Sequence, residues 1–219
     1  MKAIVFDAFG TLFQVTSGGS ARSIMENIAR HGGAVDETAF PDEWKRYYKE
    51  HTGEGAVFQK EREIFIARIR MFFERFGVEE SAVEAADALL AGAFERKAYP
   101  EAKAVIEKLR KKYPVFIASN TDNDVLESVM RKNGLCADGV FTSEDLKCYK
   151  PNPAFYRFIL RKTGLSPEDV LFVGDSPADD VLGPRNAGMK TAWLDRKGAG
   201  GDFGQDHTIA DLRELLTLV

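Results

Sequence analysis

The stretch KAIVFDAFGTLF, residues 2–13, decides how the chain is read. Four apolar, strand-forming residues, AIVF at 3–6, run straight into a carboxylate, Asp7, and Gly10-Thr11 follow. The run does not alternate, which is the pattern of a strand covered on both faces in a parallel sheet. An acid at its carboxyl end then stands where open α/β sheets bind their ligands.

The same kind of segment recurs. VFIAS (115–119), VLFVG (170–174) and TAWL (191–194) are strand-sized and rich in Val, Ile and aromatics, with GVFTS (139–143) a weaker candidate. Helical patterns over 122–133, 153–163 and 177–187 lie between them. Strands alternating with helices predict right-handed βαβ units and a parallel α/β sheet. Residues 20–97 differ: SARSIMENIARHG, PDEWKRYYKEH, VFQKEREIFIARIRMFFERFG and ESAVEAADALLAGAFERK all read as amphipathic helices. In the third, Ile64, Phe65, Ile69, Phe72 and Phe76 recur at helical spacing, the mark of a packing face. The simplest account is a helical domain, 16–97, inserted after the first strand of an α/β domain made of 1–15 and 98–219. VTSGGS (15–20) and KAYPE (97–101) would connect the two, the glycines permitting hinge motion. RKGAGGDFG (196–204) reads as a surface loop.

Bulk composition excludes several classes. The chain has 219 residues and a formal net charge of −4, so it offers no basic field for nucleic acid or anionic lipid. No apolar run approaches the roughly 20 residues of a membrane span, and no signal peptide precedes the first strand. Two cysteines, Cys136 and Cys148, neither make a disulfide framework nor show metal-ligand spacing. A soluble, cytoplasmic protein acting on a small molecule is expected, its oligomeric state undetermined.

The strand ends supply the chemistry: Asp7 at the first, Ser119-Asn120-Thr121 at the second, Gly174-Asp175-Ser176 at the fourth, and Lys150 in the CYKPNP loop. Capping explains part of this set. Ser176 before Pro177, with Asp179 three residues on, reads as an N-cap with a capping box; Thr121 reads as the cap of the next helix, with Asp124 three later; Asn152 caps a helix begun by Pro153. Asp7, Ser119, Asn120, Lys150, Asp175 and Asp180 remain unexplained by capping. They are the candidate site.

Asp7-Ala8-Phe9-Gly10-Thr11-Leu12, then Ser119-Asn120, Lys150-Pro151, and Gly174-Asp175-Ser176 with Asp180 together resemble the four motifs of the haloacid dehalogenase (HAD) superfamily, in order. The resemblance spans most of the chain outside 20–97 and implies a Rossmann-like three-layer core, with the helical insertion similar to the superfamily's C1-type cap. It implies that Asp7 is a nucleophile forming a covalent aspartyl ester that water hydrolyses. Lys150 and Ser119 would assist; Thr11, Ser119, Asn120 and Lys150 would hold an anionic substrate. Mg²⁺ would be held by Asp7, the main-chain carbonyl of Phe9, Asp175 and, as second ligand of the fourth motif, Asp180 or Asp179.

Phe9 departs from the superfamily's phosphatases, which usually carry an aspartate there as general acid and base; loss of such help costs about 10²–10⁴ in rate. FDAFGTLF and YKPNPAFY, with Tyr156 six residues after Lys150, resemble instead the L-2-haloacid dehalogenases, whose leaving halide needs no proton. The fourth motif resembles the phosphatases, because the dehalogenases carry Ser and Asn where this chain has Gly174-Asp175-Ser176. Their cap arginine also lacks a counterpart: Lys45 and Arg46 follow Trp44. Giving more weight to an unneutralised Asp175 beside Asp7, the expectation is a Mg²⁺-dependent phosphatase of a small phosphorylated metabolite. A metal-independent haloacid dehalogenase and a catalytically dead binding scaffold are the alternatives. His31, His51 and His207 are dispersed and read as surface or cap residues, while Trp44, Tyr47 and Tyr48 suit either packing or a substrate-facing patch.

Overall fold

The computed structural model describes residues 1–15, 19–53 and 55–219, which divide into two compact units, Met1–Val15 with Arg96–Val219 and Thr16–Glu95. The first is an α/β unit. Its strands are β1 (Ala3–Phe6), β2 (Val115–Ser119), β3 (Gly139–Thr142), β4 (Val170–Gly174), β5 (Lys190–Leu194) and β6 (His207–Ile209). All pair in parallel in the order β3-β2-β1-β4-β5-β6.

The unbroken apolar strands are explained by their two neighbours. Ile4, Phe6, Ile117, Leu171 and Val173 join one buried cluster, whereas Val5, Ala118, Val170 and Phe172 join another with Phe155, Tyr156 and Ile159. Each face is therefore covered, and a side chain such as Phe6 or Phe172, fully buried, contributes about 1.5–3 kcal/mol relative to exposure. β1 lies between β2 and β4, with Val5 level with Phe116 on one side and Phe172 on the other. This register brings the carboxyl ends of three sequence-distant strands side by side.

The helical unit contains α1 (Gly19–Arg30), α2 (Phe40–Thr52), α3 (Glu61–Phe76) and α4 (Ala82–Ala91). The apolar stripe of α3 does what its spacing predicts: Ile69 and Phe72 are buried with Phe40 and Trp44 of α2, and Phe65 and Phe76 pack at the margin. Residues 16–18 of the VTSGGS connection lie outside the described residues; the turn to the α/β unit falls at Glu95 and Arg96.

The remaining helices belong to the α/β unit: α5 (Ala102–Leu109), α6 (Asn123–Asn133), α7 (Ser143–Leu146), α8 (Pro153–Thr163), α9 (Gly183–Asn186) and α10 (Leu215–Leu218). Asn152 caps α8 by accepting from the Ala154 amide at 2.9 Å, as its sequence predicts. Two local expectations need correction. Thr121 does not cap α6; Asp122 takes the cap position, and the buried Thr121 hydroxyl has no hydrogen-bond partner. The helix expected over 177–187 is present without a break over 177–186, but its first six residues, Pro177–Leu182, wind as a π-helix before α9 begins. No helix among the described residues is long and apolar enough to cross a membrane, and both cysteines are free thiols.

Candidate active site

Asp7 is held at the first residue beyond β1, where its amide donates to the Val173 carbonyl at 2.8 Å and prolongs the ladder to β4. The chain then folds back sharply. Leu12 and Phe13 both donate to the Ala8 carbonyl, at 2.8 and 2.9 Å, and Gly10 donates to Phe13 at 2.8 Å. Gly10 has φ +98°, and a Cβ there would collide with the Asp175 carboxylate; glycine meets both demands.

Lys150 reaches the same point from the loop before α8. Its ammonium lies 2.7 Å from Asp7 Oδ1 and 2.7 Å from Asp180 Oδ1, all three residues being buried. The loop is fixed by Asn120, whose amide nitrogen donates to the Lys150 carbonyl at 3.0 Å and whose oxygen accepts from the Lys150 amide at 2.7 Å. Burial alone would lower the Lys150 pKa, but Asp180 and Asp7 outweigh it and hold the ammonium charged well above its ordinary range. For Asp180, burial and the charge of Asp7 push the carboxyl up while Lys150 pulls it down; contacts of 2.7 Å to lysine and 2.9 Å from the Ser176 amide favour the ionised pair.

The π-helical winding decides between the two neighbouring acids of the fourth motif. Ser176 accepts from the Asp179 amide at 3.3 Å, as a cap should. The reciprocal contact expected from the Asp179 side chain is made instead by Asp180, one residue further, which accepts from the Ser176 amide. An extra residue in the turn carries Asp180 inward, while the Asp179 carbonyl accepts from the Tyr156 hydroxyl. Gly174 leaves the room this requires, since a Cβ on it would meet the Asp180 carboxylate.

Asp175 completes the cluster from the end of β4. One oxygen accepts from the Thr11 hydroxyl at 3.3 Å, and its carbonyl accepts from the Trp193 indole at 3.1 Å. Partial burial of the carboxyl group and the charge of Asp7 push it up to about 6, against Lys150 and the Thr11 hydrogen bond, while the residue's outer flank stays exposed. Ser119 is buried at the end of β2, its hydroxyl making no hydrogen bond among the described residues. The ring of Phe9 is half-buried between Phe13, with centroids 6.0 Å apart, and the Arg96 guanidinium 4.4 Å above it. It brings no protic group to Asp7.

The donor set fits a small divalent cation. Asp7, Asp175 and Asp180 each offer an oxygen, all within 4.8 Å of one another, and Asp7 Oδ2 is buried without a hydrogen-bond partner. Sequence reasoning missed three supporting residues. Arg196 donates to the Thr11 carbonyl at 3.0 Å, pairs with Glu101 at 2.7 Å and lies 3.6 Å over Tyr99. It opens the stretch read as a surface loop, and neither it nor Trp193 or Glu101 carries a local motif that singles it out. Of the histidines, His31 bonds to Asn27 and Glu80 within the helical unit, His51 stacks on Tyr47, and His207 sits in β6.

Comparison with known proteins agrees with this arrangement. The model of the haloacid dehalogenase-like hydrolase family matches residues 1–188. The (S)-2-haloacid dehalogenase 4A of Burkholderia cepacia is 28% identical over 232 residues, 100% of this chain and 95% of that protein. The phosphoserine phosphatase of Thermus thermophilus is 31% identical over 147 residues, 65% of this chain and 59% of that one. A crystal structure of a dehalogenase with an intermediate complex superposes with a TM-score of 0.77 at 25% identity, over 100% of this chain and 97% of the other.

Proposed function

Because the chain belongs to the haloacid dehalogenase-like hydrolase family, we propose that it hydrolyses the carbon–halogen bond of a small 2-haloacid through an ester on Asp7. Asp7 Oδ1 is anchored by Lys150, which leaves Oδ2 as the attacking oxygen. Attack at the substrate's C2 forms the C–O bond as halide leaves with the bonding pair. Water then attacks Asp7 Cγ while Asp180, on the same lysine, takes its proton; as the Cγ–O bond to the substrate oxygen breaks, Asp180 returns that proton to the departing oxyanion, which releases the 2-hydroxy acid and restores the Asp7 carboxylate. Lys150 offsets the negative charges of nucleophile and substrate, and Ser119 offers its hydroxyl to the substrate carboxylate, while the expected part of Thr11 in substrate binding is corrected: its buried hydroxyl donates to Asp175. Asn120 holds Lys150 in place and has one amide hydrogen left for the substrate.

The carrying observation is Phe9. In the first step, before water has given Asp180 a proton, an alkoxide leaving group needs one that neither Phe9 nor its neighbours Phe13 and Arg96 deliver, whereas halide needs none. The (S)-2-haloacid dehalogenases matched over the whole chain support the same reading. The expected result is halide release from (S)-2-chloropropionate that persists in EDTA and is lost in Asp7→Asn. Absence of halide from every short 2-haloacid tried would overturn it.

The three-carboxylate cluster favours a second reading, Mg²⁺-dependent hydrolysis of a small phosphomonoester. Asp7, Asp175, Asp180 and the Phe9 carbonyl would hold the ion, which would neutralise charge between nucleophile and phosphoryl group. Ser119 and Lys150 would then contact phosphoryl oxygens. It ranks second because Asp175 keeps an exposed flank, where water screens its charge without a cation, while the missing proton donor has no such remedy. Mg²⁺-dependent phosphate release from p-nitrophenyl phosphate without halide release from haloacids would reverse the order.

A further inference from the structure

The helical unit has a cavity of about 1030 Å³, walled by α1, α2 and α3, with Met25, Val35, Trp44, Tyr48, Phe65 and Arg68 among its lining. Apolar and aromatic side chains share the wall with seven charged ones, among them the acids Glu26, Glu37 and Glu61. Of the charged set Arg68 alone is buried, with only 2% of the residue exposed.

Its surroundings leave the charge unanswered. Nη1 donates to the Trp44 carbonyl at 2.8 Å, a neutral acceptor already placed by α2. The guanidinium lies 3.4 Å over the Trp44 ring and 4.5 Å from the centre of Phe65. Nε is buried with no hydrogen-bond partner, which leaves Nη2 as the accessible donor. Among the described residues no carboxylate lies within the 4.0 Å of an ion pair. Glu61, which accepts from the Tyr48 hydroxyl at 3.3 Å, acts on Arg68 only at longer range. Of the other cations on the wall, Arg22 pairs with Glu26 at 3.0 Å and Lys45 with Asp42 at 3.9 Å, while Lys49 is exposed to solvent.

A buried, unpaired charge is strongly unfavourable unless a ligand or partner completes it, and a planar guanidinium presents a fork matched to a carboxylate. The aromatic rings beside it offer a flat surface to whatever the carboxylate is attached to. Burial pushes the Arg68 pKa down to about 10, still leaving the group charged at neutral pH. We propose that this cavity binds a small organic carboxylate with a flat apolar body, its carboxylate held by Arg68 and its body against Trp44 and Phe65. The site is built wholly from the helical unit and does not depend on which reaction Asp7 performs. The carboxylate is that of a ligand separate from the substrate, whose own carboxylate is received beside Asp7.

Titration calorimetry of the full chain with phenylacetate and with phenylacetamide tests this without requiring turnover. Saturable phenylacetate binding is expected, with the amide at least ten-fold weaker and with no change in Asp7→Asn. Arg68→Met should remove the preference for acid over amide, and Arg68→Lys should restore only part of it, because an ammonium neither stacks nor forks. Equal binding of acid and amide, no binding of either, or a preference that survives Arg68→Met would overturn the proposal. If circular dichroism shows that the Arg68 variants do not fold, the acid–amide comparison in the native chain and in Trp44→Leu, expected to weaken both, still decides.

Discussion

The ammonium of Lys150 stands 2.7 Å from Asp7 Oδ1, a contact between residues 143 positions apart that is buried from solvent at both ends. The same nitrogen is 2.7 Å from Asp180. One cation therefore balances two acids, and removing it leaves both carboxylates uncompensated in a place water barely reaches. Lys150→Met should lower the unfolding free energy by about 3–5 kcal/mol, the range for breaking a buried pair from one side. Adding Asp180→Asn should recover part of that loss, since one of the two orphaned charges disappears. Urea unfolding followed by circular dichroism measures both. A Lys150→Met protein as stable as the native one would show that the pair is not formed in solution.

Phe9 gives a prediction in the direction of gain. Its ring points to no proton and lies under the Arg96 guanidinium, 4.4 Å away. Phe9→Asp places a carboxyl group two residues after the nucleophile, with a cation nearby to hold it. With Mg²⁺ present, phosphate release from p-nitrophenyl phosphate should rise by about 10²-fold or more, the scale of general-acid help to a leaving alkoxide. Halide release from 2-chloropropionate should fall, because a further charge beside Asp7 repels the substrate carboxylate. A rate of phosphate release no higher than the native chain's would mean that the phosphoryl-binding half of the site is not assembled.

Much of this was legible in the sequence because the central strands are buried on both sides. AIVF, VFIAS and VLFVG match β1, β2 and β4 residue for residue, since an unbroken apolar run has no other stable place. β6 was not legible: three residues, His207–Ile209, are too few to show a period, and only pairing with β5 makes them a strand. α5 was passed over for a similar reason, eight residues behind the KAYPE connection with no side-chain cap to mark them. In the site, strand ends exposed Asp7, Ser119 and Asp175, and elimination of caps exposed Lys150. The inward turn of Asp180 was not legible, because π-winding depends on Gly174 leaving room and on Lys150 arriving from elsewhere. Arg196 and Trp193 act through a carbonyl contact each, and such contacts leave no pattern in one sequence.

Gly174 supplies a steric test. Its backbone is not in the left-handed region, so alanine costs nothing conformationally. The added methyl group would nevertheless meet the Asp180 carboxylate, which is locked by Lys150 and the Ser176 amide. Gly174→Ala should destabilise by about 1–3 kcal/mol, as overpacking does, and lower kcat/KM by more than ten-fold as Asp180 is displaced. Turnover on whichever substrate the native chain accepts, together with a thermal melt, separates the two effects. Native kcat/KM in this variant would show that the position of Asp180 is not critical.

The acid side of the stability profile rests partly on Asp211, which caps the turn at Leu212–Glu214 beneath α10. Its carboxylate accepts from the Arg213 amide and Nε, each at 2.8 Å, and pairs with Nη2 at 2.7 Å. The Arg213 hydrogen bond pulls its pKa down to about 2, below the roughly 3.9 of an unfolded chain. A depressed acid stabilises the fold above its unfolded pKa, and that contribution disappears as pH falls from about 4 to about 2. Arg213 is 71% exposed, so water and salt reduce the gain to about 1 kcal/mol. Asp211→Asn keeps a capping side chain but removes the charge. At pH 7 it should be less stable than the native chain by about that amount; near pH 2 the two should unfold at the same urea concentration. A difference that stays constant between pH 7 and pH 2 would assign the effect to packing rather than to the ion pair.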